Sequence, residues 1–148
     1  MKKYKTALVI GRFQPFHKGH LFLIKQALSV ADTVIIGIGS ANIRNFDNPY
    51  TTKQREKMVD EILKKEKLTV YVQKIVELDD YFNDVVWLTE TLKKTGRIDI
   101  VVGNNEWVND IFSNAGYRTM HIPYYKREIY EGRKIREKMR KLHQLPEV

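Results

Sequence analysis

The chain has 148 residues, 43% of them apolar, and a formal net charge of +8. That length suits one domain, residues 1–148, able to bury its own core, and no stretch approaches the roughly 18 to 20 uninterrupted apolar residues that span a bilayer. With no cysteine, disulfides and thiolate-held metals are excluded, and a cytoplasmic address is the default. The positive charge asks for an anionic partner, and eight of the 26 Lys and Arg fall in residues 126–148. At this level nucleic acid, acidic lipid and nucleotide phosphates all stay open.

The opening "MKKYKTALVIGRF" has the basic start and short apolar run of a signal peptide. The run ends at Gly11-Arg12 with no small-residue cleavage site, so it reads as a buried strand over residues 4–11. Leu21, Ile24, Leu28 and Ala31 then recur at helical spacing. "TVIIGIG" (33–39) is apolar on both faces, as a central parallel strand requires. After the polar loop "SANIRNFDNPY", Thr51 and Gln54 form a capping box ahead of a helix with Met58, Val59, Ile62 and Leu63 on its stripe. "LTVYVQKI" (68–75) is the third strand. Residues 81–95 form a helix with Val85, Leu88 and Leu92, closed by Gly96 at its C-terminal cap. "IDIVVG" (98–103) is the fourth strand, followed by a short helix carrying Val108, Ile111 and Phe112 and ending at Gly116. "RTMHIP" (118–123) is the fifth strand, and residues from about 132 to 143 form a basic last helix. No repeat, low-complexity segment or linker interrupts the order. Strands alternating with helices imply βαβ units, hence an α/β fold with a five-stranded parallel sheet covered on both faces.

Ligands of such sheets bind beyond the carboxyl ends of the strands. "GRFQPFHKGH", "GSANIRN", "ELDDYFND", "GNNEW" and "YYKREIYEGRKIR" follow the five strands in turn, so all five polar clusters should gather at one edge. In the first, Gly11 lets the backbone approach a ligand and Pro15 stiffens the loop. His17 and His20, three residues apart, share a helical face. Gly19 leaves room for a flat group, and the amides of that first helical turn favour an anion. Two imidazoles, Arg12 and free amides make a phosphate site suited to charge that grows during reaction. A zinc site would need three or four ligands from a chain with four histidines and no cysteine, and ordinary loop hydrogen bonds are the bland alternative. The Walker pattern is absent, since Phe16 stands where its second glycine falls, and "GIGSAN" lacks the third glycine of a dinucleotide fingerprint.

"GRFQPFHKGH" resembles the HxGH signature of the nucleotidylyltransferase superfamily, in the form of archaeal-type nicotinamide mononucleotide adenylyltransferases. "IIGIGSANIRNFDNPYTTKQRE", "DDYFNDVVWL", "VVGNNEWVNDIF" and "YYKREIYEGRKIREKM" resemble further segments of that family in the same order. The resemblance implies a Rossmann-like nucleotidylyltransferase domain that joins ATP and nicotinamide mononucleotide into NAD and pyrophosphate, with Mg²⁺ bridging phosphates and no protein side chain on the metal. It implies that His17 and His20 contact the ATP phosphates, with His20 nearer the α-phosphate. Gly11, Arg12 and the amides of Phe13 and Gln14 would hold the triphosphate, together with Gly132 and Arg133. Arg136 would grip the β- and γ-phosphates. Trp87 would stack on the nicotinamide ring, with Asp80, Asp84, Asn104, Arg127 and Tyr130 around that nucleotide. It further implies nicotinamide or nicotinate mononucleotide as acceptor and a homo-oligomer, with neither nucleic acid nor membrane as partner.

The chain departs from the pattern at the second signature. Glu131 and Arg133 stand where the family has a serine and a threonine around Gly132, and Asp84 replaces a frequent asparagine. A carboxylate at a helix start repels phosphate unless it caps the helix or faces solvent, whereas Arg133 substitutes a full charge for lost hydroxyl donors. A related nucleotidylyltransferase with another phosphate-bearing acceptor, and a non-catalytic nucleotide or nucleic-acid binder on the same fold, are the alternative functions.

Overall fold

The computed structural model describes residues 2–146. Five strands, β1 (Tyr4–Gly11), β2 (Ala31–Ile38), β3 (Val72–Glu77), β4 (Ile100–Gly103) and β5 (Thr119–His121), form one sheet in the order β3-β2-β1-β4-β5. All four pairings are parallel, with Leu8 opposite both Ile35 of β2 and Val101 of β4. The helices are α1 (Lys18–Val30), α2 (Thr52–Lys65), α3 (Asp84–Thr95), α4 (Glu106–Asn114) and α5 (Gly132–Lys141).

The two-residue alternation of a strand decides which layer each side chain joins. Ala7 and Val9 of β1, with Val34, Ile36 and Ile38 of β2, pack against Leu23, Ile24 and Ala27 of α1 and Val59 and Leu63 of α2. Leu8, Ile35 and Val101 point the other way and meet Trp87 of α3 with Val108 and Phe112 of α4. Both faces of the sheet are therefore covered, and each buried Val, Leu or Ile contributes about 1.5–3 kcal/mol. The expected Thr51–Gln54 capping box is present at the start of α2, and Gly96, with φ 70°, caps α3. Among the described residues no helix is long and apolar enough to cross a membrane.

Several boundaries differ from expectation, among them β4 and β5, which are shorter than 98–103 and 118–123. Ala31 starts β2 instead of ending α1. Thr69–Tyr71 coil into a 3-10 turn, so β3 covers Val72–Glu77 and not 68–75; Val70 and Tyr71 are exposed, and a β-rich composition did not suffice without a partner to pair with. Helix α3 begins at Asp84, because the Asn83 side chain accepts the amides of Val85 and Val86 and caps it there.

The strand order places the topological switch between β1 and β4, where crossovers leave in opposite directions and open a crevice at the carboxyl ends. The loop that leads from β1 to His17 and the first turn of α1, which carries His20, leaves the sheet at that point.

Candidate active site

A cleft of about 360 Å³ opens above the switch point and is lined from all five strand exits. Of the residues expected to bind, Gly11, Arg12, Phe13, Gln14, His17, His20, Asp80, Trp87, Asn104, Arg127, Tyr130, Gly132, Arg133 and Arg136 line it. Asp84 does not: as the exposed first residue of α3 it lies outside the lining.

The two histidines are locked by their own helix. His17 caps α1, its Nδ1 accepting the Gly19 amide at 3.1 Å. His20 reaches back, its Nδ1 accepting the His17 amide at 3.1 Å. The pair is a capping box built from imidazoles, with the rings stacked 3.7 Å apart. Because both Nδ1 atoms accept, the proton of each neutral ring sits on Nε2. Gly19 is required at this spot, since a Cβ there would come within 2.8 Å of the His17 ring. The flat group for which Gly19 leaves room is therefore His17 itself. Two of the first-turn amides expected to face an anion are already taken, that of Gly19 by His17 Nδ1 and that of His20 by the His17 carbonyl. The two imidazole Nε2–H groups are further donors in the cleft.

Burial lowers the pKa of His17 to about 4. Burial also holds His20 well below the usual imidazole range, helped by His17 and Arg12; its ring packs against Phe13 and Phe16. Both rings are neutral at pH 7, hydrogen-bond donors without being cations.

The permanent charge comes from arginines. Arg136, only 3% exposed, donates from Nη1 to the Gln14 carbonyl at 2.9 Å, and its Nε has no partner among the described residues. Gly132 makes room for this guanidinium, since a Cβ would meet Nη1 at 2.9 Å. Arg12 donates to Asn48 Oδ1 at 3.1 Å. Phe13 has a fully buried side chain, so only its backbone is left for a ligand. Gln14 spends its side chain on the backbone of Tyr50, accepting at 2.9 Å and donating at 3.1 Å. Glu131 neither turns away nor caps α5 with its side chain. Its carboxylate lies 3.6 Å from Arg133, 3.6 Å from Lys134 and 3.9 Å from Arg127, so one acid gathers three cations at the rim.

The opposite end is aromatic. Trp87 is 4% exposed and packs on Trp107 at 5.4 Å and Phe112 at 5.8 Å, so its ring belongs to the core as much as to the cleft. Trp107, passed over in the sequence, is 50% exposed and lines the cleft; its place in "GNNEW" behind the fourth strand is the signal that marks it. Asp80 accepts from Ser40 Oγ at 2.9 Å and ties the β3 exit to the β2 exit. Tyr130 lies parallel to His17 at 6.4 Å, which puts it beside the imidazole pair. No group of three or more His, Asp or Glu able to hold a metal occurs among the described residues.

A Rossmann-type sheet with paired imidazoles and a buried arginine over its switch point, and no Walker loop, defines a nucleotide-handling enzyme. The chain belongs to the cytidylyltransferase-like family, whose model matches residues 8–147, and within it to the nicotinamide-nucleotide adenylyltransferases. It is 40% identical over 139 residues to the nicotinamide-nucleotide adenylyltransferase of Thermoplasma acidophilum, covering 93% of this chain and 76% of that one. The corresponding protein of Archaeoglobus fulgidus is 36% identical over 137 residues, covering 90% and 79%. Among solved structures, a bifunctional NMN adenylyltransferase/ADP ribose pyrophosphatase from Francisella tularensis superposes with a TM-score of 0.83 at 29% identity, over 97% of this chain and 45% of that one. A further Francisella tularensis structure of the same description is complexed with AMP and a manganese ion.

Proposed function

We propose that this chain transfers the adenylyl group of ATP to nicotinamide mononucleotide, giving NAD and pyrophosphate. An oxygen of the acceptor's phosphate forms a bond to the α-phosphorus, and the bond from that phosphorus to the bridging oxygen breaks. Pyrophosphate leaves with the electron pair. The nucleophile is already an anion, so no general base is required; the enzyme's task is to align two polyanions and stabilise the charge that shifts between them. The observation that carries this reading is the His17–His20 capping box, which leaves two Nε2–H donors in one cleft with Arg136. His20 would meet the α-phosphate, and Arg136 the β- and γ-phosphates. Divalent metal enters with the triphosphate as part of the substrate, magnesium in the cell; the Francisella tularensis relative complexed with AMP and a manganese ion supports a divalent metal. A cytoplasmic address suits a reaction that consumes ATP, and the homo-oligomer implied by the family resemblance belongs to the same reading.

The test is incubation with ATP, Mg²⁺ and a panel of acceptors, nicotinamide and nicotinate mononucleotides included, with pyrophosphate and dinucleotide measured together. NAD and pyrophosphate should appear in equal amounts; pyrophosphate with another acceptor alone would assign a different nucleotidylyltransferase, and neither product would remove the enzymatic reading.

On this reading the two tryptophans separate in their effects. Trp107→Ala raises KM for the mononucleotide with kcat nearly unchanged. Trp87→Ala also weakens the acceptor but costs about 3–5 kcal/mol of stability as well, the range for truncating a core aromatic. Steady-state kinetics and urea midpoints on both variants check this; equal stability losses would place both rings in the core alone.

A further inference from the structure

We propose that Arg55 is a positioning residue that holds the loop after β1 in the shape that receives ATP. The inference rests on the nucleotide reading above. Arg55 is 0% exposed. Its Nη1 donates to the carbonyls of Gly39 at 2.7 Å and Arg12 at 3.0 Å, its Nη2 to the Ser40 carbonyl at 3.4 Å, and its Nε to the Thr51 carbonyl at 3.3 Å. The guanidinium thus pins together the exits of β1 and β2 and the start of its own helix. All of these partners are neutral carbonyls. A charge buried on such terms is a costly way to gain stability alone, and a well-packed apolar side chain would anchor helix to sheet more cheaply.

What the charge secures is the first half of the phosphate loop. The Arg12 carbonyl it holds precedes Phe13, whose φ of 53° turns the chain toward Gln14. Asn48 accepts from the Arg12 side chain, and Tyr50 exchanges two hydrogen bonds with Gln14. Residues 48–55 therefore grip residues 12–14 at three points, and Arg55 is the only cation among the three. It also adds positive charge beneath the place where phosphate would bind. Neither Trp87 nor Trp107 receives any of these bonds.

The experiment compares wild type with Arg55→Met, which keeps the stem and loses the charge, and Arg55→Lys, which keeps the charge and loses the fork. Calorimetric titrations with the β,γ-imido analogue of ATP plus Mg²⁺, and separately with nicotinamide mononucleotide, are read beside each thermal midpoint. Affinity for the ATP analogue should fall about tenfold or more in Arg55→Met, as expected when hydrogen bonds to a charged group are lost, and less in Arg55→Lys, with mononucleotide affinity unchanged. Unchanged affinity for the analogue overturns the proposal. So does a parallel loss of both ligands, or failure of both variants to fold, since either result makes Arg55 merely structural. A wild-type protein that binds no ATP analogue would instead remove the nucleotide reading itself. A wild type that binds the analogue but no mononucleotide would remove only the acceptor, with loss of analogue affinity at a preserved thermal midpoint supporting Arg55 and unchanged affinity overturning it.

Discussion

Replacing His20 with Ala lowers kcat by about 10²–10³-fold, the scale for removing one donor that meets charge developing in the transition state. The variant also loses half of the imidazole capping box, which costs about 1 kcal/mol of helix stability. His20→Gln separates the two effects, because Gln at this helix position can return the capping bond while the ring Nε2–H is gone. Stability should recover and rate should not. Wild-type turnover in His20→Ala would take this residue out of the mechanism.

The ring's charge state is testable in the same protein. Folded His17 has a pKa of about 4 and folded His20 one well below 6.5, whereas unfolded imidazoles titrate near 6.5. The unfolded chain therefore binds more protons below that pH. The stability contributed by the two neutral rings is complete above about pH 6.5 and is lost as pH falls toward 4. An NMR titration of the ligand-free protein should move the His17 resonances near pH 4. Movement near 6.5 would leave about a quarter of the rings cationic at pH 7 and overturn the burial argument.

Replacing Arg136 with Met lowers kcat/KM by about 10³-fold, the lower end of what an arginine at a transferring phosphate supplies. Among the described residues this side chain and that of Arg55 are the two buried charges, and its guanidinium is already oriented by the Gln14 carbonyl and by the space over Gly132. Little entropy remains to be lost when phosphate arrives. Arg136→Lys should restore only a small part of the rate, since a point charge cannot hold the Gln14 carbonyl and phosphate oxygens in one plane. A lysine variant near wild-type rate would show that charge alone is needed and that the fork geometry is incidental. Both variants are compared with wild type by initial rates over ATP concentration, which separates the KM and kcat contributions.

The alternation of strands and helices and the gathering of five polar loops at one sheet edge were legible in the residues, because these rest on short-range periodicity and on a general rule of α/β sheets. Residue type and spacing also marked His17 and His20, whereas Arg136 was marked only by the family resemblance. Arg55 was legible in principle: it sits four residues before Val59 and eight before Leu63, on the buried stripe of α2, but in a lysine-rich helix a charge reads as solvated face. Trp87 and Trp107 could not be told apart as buried and exposed from spacing alone. The strand order and the switch point between β1 and β4 came only from the folded chain, because they depend on which strands meet across long stretches of sequence. The tautomers of the two histidines and the cations gathered on Glu131 are settled within residues 17–20 and 127–134, but by a backbone geometry that residue types alone do not give.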